Sequence, residues 1–77
     1  MEPNWDDVER RLMALKVKQL RELGRAWFCG LLGGASAKYE MAHTMASQMR
    51  HWWTACADNG GRERVRKALK ALEELEG

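Results

Sequence analysis

This chain has one proline, Pro3, one tyrosine, Tyr39, and one phenylalanine, Phe28. With so little proline and no serine- or proline-rich run, disorder is not expected beyond the ends. No run of about 18 or more apolar residues is present, which excludes a membrane-spanning helix. Neither sign of charge prevails: 13 Lys and Arg against 11 Asp and Glu leave a net charge of +2. Cysteine is scarce as well. Cys29 and Cys56 would allow one disulfide, but the opening Met1-Glu2-Pro3-Asn4-Trp5-Asp6-Asp7 is acidic and polar, the reverse of a secretory signal. Reduced thiols and a cytoplasmic setting are therefore expected.

The signatures of chemistry are thin too. No nucleophile stands beside a plausible base, and no phosphate-loop lysine follows the glycines. A chain of 77 residues is also too short to enclose an enzyme-sized cleft, so it reads as non-catalytic. Cys29, His43, His51 and Cys56 are residue types that bind zinc, yet no Cys-x-x-Cys or His-x₃₋₅-His spacing occurs. His43 and His51 stand eight residues apart, a strained span for one ion, and no metal or cofactor is expected.

What the chain does have is material for a small core. Hydrophobic residues make up 45% of it, and four tryptophans and five methionines can fill one compact domain over residues 1–77. The periodicity is helical throughout, and nothing reads as a strand. Trp5, Val8, Leu12 and Leu15 form one stripe of a first helix, Trp5 to Ala14, capped by Asn4 or Asp6. Val17, Leu20, Leu23 and Trp27 line a second, Val17 to Phe28. Gly24 inside it costs about 1 kcal/mol relative to alanine, so either a neighbour crosses closely there or the helix breaks and restarts.

Residues 30–35 are the least helical stretch, and Ser36 is expected to cap a long third helix. Its stripe runs Met41, Met45, Met49 or Gln48, Trp52 and Cys56, and Asn59-Gly60-Gly61 stops it. A fourth helix, Arg62 to Leu75, would bury Val65, Leu69, Leu72 and Leu75. The fold class is all-α, a small four-helix domain.

Charge is unevenly placed. Residues 1–15 carry a net −2, whereas residues 16–26 hold Lys16, Lys18, Arg21 and Arg25 against Glu22 alone, for +3. Residues 27–57 add +1, and residues 58–77 balance. Lys18, Arg21 and Arg25 fall at three- and four-residue spacing opposite the leucines of the second helix, a stripe able to neutralise several phosphates. A merely solvated face has the same pattern.

From Leu15 to about Met49 the chain resembles the SAP family of helix–extended loop–helix nucleic-acid-binding modules, and in style the N-terminal module of transcription terminator Rho. The matching residues are Leu15-Lys16-Val17, then Leu20, Arg21 and Leu23, the pair Gly30-Leu31, the turn Gly33-Gly34, and Lys38-Tyr39-Glu40-Met41. The chain departs from the pattern in a longer, more aromatic segment at 24–29, an extra loop residue and an extended third helix. The resemblance implies contact with double-stranded DNA through Lys16, Lys18, Gly33, Gly34, Ser36 and Lys38.

Physical reasoning runs the same way. A helix N-terminus offers unpaired amides and about half a positive charge to an anion. Gly33 and Gly34 carry no Cβ to hold a phosphate backbone away. Lys38 in a first helical turn opposes the dipole, a cost that a bound phosphate would offset. The expected function is therefore phosphate-backbone DNA binding with little sequence discrimination, through Lys16, Lys18, Arg21, Arg25, Gly33, Gly34, Ser36 and Lys38.

Other readings stand beside it. Arg62, Arg66 and Lys70 share a face of the last helix and offer a second phosphate contact, although intrahelical pairs such as Arg66–Glu63 and Lys70–Glu74 are preferred. Arg50-His51-Trp52-Trp53 suggests base stacking, but adjacent helical positions point about 100° apart, so one tryptophan is core and the other partly exposed. The alternative function is a helical protein–protein interaction module or a homodimerising subunit, for which so many methionines and tryptophans would suit an apolar groove. Salt distinguishes the two, because apolar docking is far less sensitive to it than phosphate binding.

Overall fold

The computed structural model describes residues 2–28 and 37–77. Those residues form four helices: α1 (Trp5–Met13), α2 (Val17–Trp27), α3 (Lys38–Ala55) and α4 (Gly61–Glu76). A short 3-10 turn, Ala57–Asn59, joins α3 to α4, and no strand occurs among the described residues. The all-α expectation holds. No helix among them is long and apolar enough to cross a membrane.

Helix α1 starts where its sequence says it should. Asn4 lies in extended conformation and its side-chain oxygen accepts the Asp7 amide at 3.1 Å. Asp6 and Asp7 in the first turn and Arg10 and Arg11 in the last both suit the helix dipole. Val8 and Leu12 are buried, with Leu15 just past the helix end. Helix α2 runs unbroken through Gly24, which is itself buried, so no restart occurs there. The Phe28 amide continues the ladder to the Gly24 carbonyl at 2.8 Å.

Helix α3 is the axis of the fold, touching each of the other three helices. That position explains its doubled stripe: Met41, Met45 and Met49 are buried, and so are Ala42 and Ala46 beside them. Each fully buried large side chain of this kind contributes about 1.5–3 kcal/mol. Two details differ from the sequence reading. The N-cap position of α3 is Ala37, which offers no side-chain acceptor, while Ser36, the expected cap, lies outside the described residues. At the other end Trp53 is the core residue, and Trp52 is only partly buried.

The turn into α4 is tight. Gly60 adopts the left-handed region at φ 79°, and α4 begins at Gly61, a residue before the expected start. The Gly61 amide donates to the Cys56 carbonyl at 2.9 Å. A Cβ on Gly61 would collide with the Trp52 carbonyl and lie 2.7 Å from that of Cys56. Only glycine lets the two helices approach so closely. Cys56 itself carries a free thiol. From α4, Val65, Ala68 and Leu72 enter the core, while Leu69 and Leu75 pack only partly against it.

Polar contacts then tie the helices at their edges. Glu9 of α1 meets His43 Nδ1 of α3 at 2.7 Å. Arg11 near the end of α1 grips Glu76 at the end of α4, with Nε 3.0 Å from Oε2. The hydrogen bond between them raises the Arg11 pKa and lowers that of Glu76. Gln19 Nε2 donates to the Leu75 carbonyl at 3.4 Å, and Arg64 donates to the Trp27 carbonyl at 2.8 Å. The start of α2 therefore lies by the end of α4, and its end by the start of α4, so the two helices run antiparallel.

Candidate nucleic-acid interface

The candidate interface begins at Lys16, the N-cap of α2, whose backbone is extended at φ −71°, ψ 152°. Its amide is held by Gln19 Oε1 at 2.9 Å, which fixes the entry of the chain into the helix. The first turn of α2 carries no acid, so nothing there neutralises the positive end of the dipole. Lys18, Arg21 and Arg25 follow within an arc of about 60° around the helix. Leu20 and Leu23 are buried on the opposite side, and Gly24 is buried at its edge. Burial of the leucines thus aims the three cations outward, and all four cations of this segment are exposed.

Several cations elsewhere in the fold are paired. Arg10 pairs with Asp7, Arg11 with Glu76 and Lys67 with Glu63. Among the described residues no carboxylate pairs with Lys16, Lys18, Arg21 or Arg25. Glu22 is the one acid between them, and it too is exposed.

The remaining expected site residues are placed differently. Lys38 is the first residue of α3, half-buried and on a separate element from the stripe. Ala37, the N-cap of α3, offers no side-chain acceptor to the first-turn amides. Gly33, Gly34 and Ser36 lie outside the described residues, as does Cys29. Among the described residues no group of three or more His, Cys, Asp or Glu side chains converges in a way that would hold a metal ion.

The arginines of α4 hold the feature that sequence reasoning missed. Arg64 lies over the Trp52 ring, 4.4 Å from its centroid, while Arg62 and Arg66 lie 5.1 and 5.4 Å from that of Trp53. Arg62 Nε also donates to the Trp53 carbonyl at 3.3 Å. Trp52 stacks on Phe28 at 5.2 Å, and Trp53 meets Trp5 edge-on at 6.3 Å. Attraction of guanidinium to an aromatic face explains why this helix tolerates cations at its positive end. These arginines clamp α4 onto α3, and the preferred Arg66–Glu63 pair gives way to Lys67–Glu63 at 3.7 Å. With Trp53 buried and Trp52 covered by Phe28 and Arg64, the pair offers no open platform for a base. The available signal was a run of arginines following a tryptophan pair across a glycine turn.

No known family model matches the chain, and no curated protein or solved structure matches it.

Proposed function

We propose that this domain binds duplex DNA through its phosphate backbone, without catalysis and with little sequence discrimination. The observation that supports it is at α2: an outward stripe of Lys18, Arg21 and Arg25 with Lys16 at the N-cap, four exposed cations with no carboxylate partner among the described residues. Elsewhere Arg10, Arg11 and Lys67 are held by acids and Arg62, Arg64 and Arg66 lie against tryptophans, while Lys38, Arg50 and Lys70 stand singly, so among the described residues unpaired cations are most concentrated on this stripe. Lys38 adds charge at the start of α3. In the SAP-like reading Gly33, Gly34 and Ser36 supply the close-approach turn. A cytoplasmic setting suits the free thiol of Cys56.

The charge count sets the size of the effect. Four phosphates neutralised give a slope of about −3.6 in log K against log salt, so affinity falls about a hundredfold between about 50 and 200 mM. Fluorescence anisotropy of a labelled mixed-sequence duplex reads this directly. The variant R21Q/R25Q should weaken binding and reduce the slope by about 2, while R50Q, an exposed cation on α3, leaves both nearly unchanged. Equal losses in the two variants would mean that the stripe is not the interface.

A further inference from the structure

The antiparallel pair α2 and α4 has a second outward face. Trp27 lies half-buried at its centre, with a hollow on either side of it. Toward the start of α4 the hollow is lined by Arg64 and Lys67, together with Glu63. Toward the end of α4 it is lined by Glu22 and Glu74, with Leu23 and Leu75 below. Ala71, small and half-buried, sits beside Trp27 between the two. The face is apolar in the middle, with a net excess of cations at one end and acids alone at the other.

From this arrangement we infer that the α2–α4 face binds a second copy of the chain, across a two-fold axis passing beside Lys70 and Ala71. A two-fold axis perpendicular to α4 reverses the helix direction in the partner. Lys67 and Glu74 are equally far from the midpoint between Lys70 and Ala71, so each Lys67 meets Glu74 of the second copy. The pairing occurs twice, and the chain supplies its own electrostatic complement. Ala71 lets the two α4 helices approach, and the two Trp27 rings supply apolar area beside the axis. Lys67 already pairs with Glu63 at 3.7 Å, but both are well exposed and the contact is weak enough to be exchanged. Trp27 points about 120° or more away from Lys18, Arg21 and Arg25 around α2, so a dimer leaves both cationic stripes uncovered.

Sedimentation equilibrium of the full chain from about 10 µM to about 1 mM tests this, in low salt. The mass should rise from monomer to dimer and stop there. K67E and E74K, both at exposed positions, should each weaken the dimer about tenfold, because each turns two attractive pairs into two repulsive ones. The double variant K67E/E74K restores the pairing with its sense reversed and should recover most of the loss. Circular dichroism confirms that each variant remains helical. A monomer at every concentration overturns the inference. Single variants that leave association unchanged, or a double variant weaker than either single, overturn it equally.

Discussion

Replacing Gly61 with alanine tests the geometry of the α3–α4 turn, on which the arginine clamp depends. In a helix interior alanine gains about 1 kcal/mol over glycine, so propensity alone predicts stabilisation. The structure predicts the opposite. The new Cβ would collide with the Trp52 carbonyl and lie 2.7 Å from the Cys56 carbonyl, and neither is a flexible side-chain end that can swing away. Overpacking of this kind costs about 1–3 kcal/mol. Moving Gly61 outward also stretches its 2.9 Å hydrogen bond to Cys56, at about 1 kcal/mol. The net loss is about 1–3 kcal/mol, a large part of the roughly 4–11 kcal/mol expected for a domain of this length. With a urea slope of about 1 kcal/mol/M, the unfolding midpoint should fall by about 1–3 M. Tryptophan emission should shift as well, because the clash displaces the backbone of Trp52. Gly60→Ala is the companion variant: at φ 79° it costs about 1–2 kcal/mol through the backbone alone, with open space around its Cβ. A Gly61→Ala protein as stable as the parent would refute the close crossing.

Glu76 provides a pH test. Its folded-state pKa is lowered by the hydrogen bond from Arg11, so its contribution is present above the unfolded carboxylate pKa of about 4.3 and is lost as pH falls through the folded value. The pair is partly exposed, so the contribution is about 0.2–1 kcal/mol, and E76Q should flatten that part of the stability profile in urea melts between about pH 5 and 3. Arg64→Ala removes a guanidinium 4.4 Å from the Trp52 ring together with a 2.8 Å hydrogen bond to Trp27, and should cost about 1–2 kcal/mol with a change in tryptophan emission. Arg64→Lys keeps the charge but not the planar stack and should recover only part of that loss.

Much of the architecture was legible because local rules and tertiary packing agree. Asn4, the acids after it and the Val8–Leu12 stripe describe α1 before any packing is considered. Helix α2 was equally readable, apart from Gly24, where periodicity has no way to tell a packed glycine from a break. Around Trp52 and Trp53 the reading failed for a geometric reason. A stripe stepped by four residues drifts about 40° per step, so the buried side at the far end depends on which neighbours α3 meets. The partners of Arg62, Arg64 and Arg66 were invisible for a related reason: pairing rules within one helix reach three or four residues, whereas these side chains cross the turn to another helix. The cationic stripe of α2 was readable as position and exposure. Its ligand was not, because a phosphate-binding face and a solvated one carry the same residues at the same spacing.

The most direct test of the DNA-binding claim is an amide NMR titration of the full chain with a short mixed-sequence duplex, at about 50 and 200 mM salt. Phosphate-backbone binding predicts shifts at Lys16, Lys18, Arg21, Arg25 and Gly33–Lys38 that fade at the higher salt. A spectrum unchanged at several hundred micromolar of each component, or shifts confined to Trp27, Lys67 and Glu74, would contradict it.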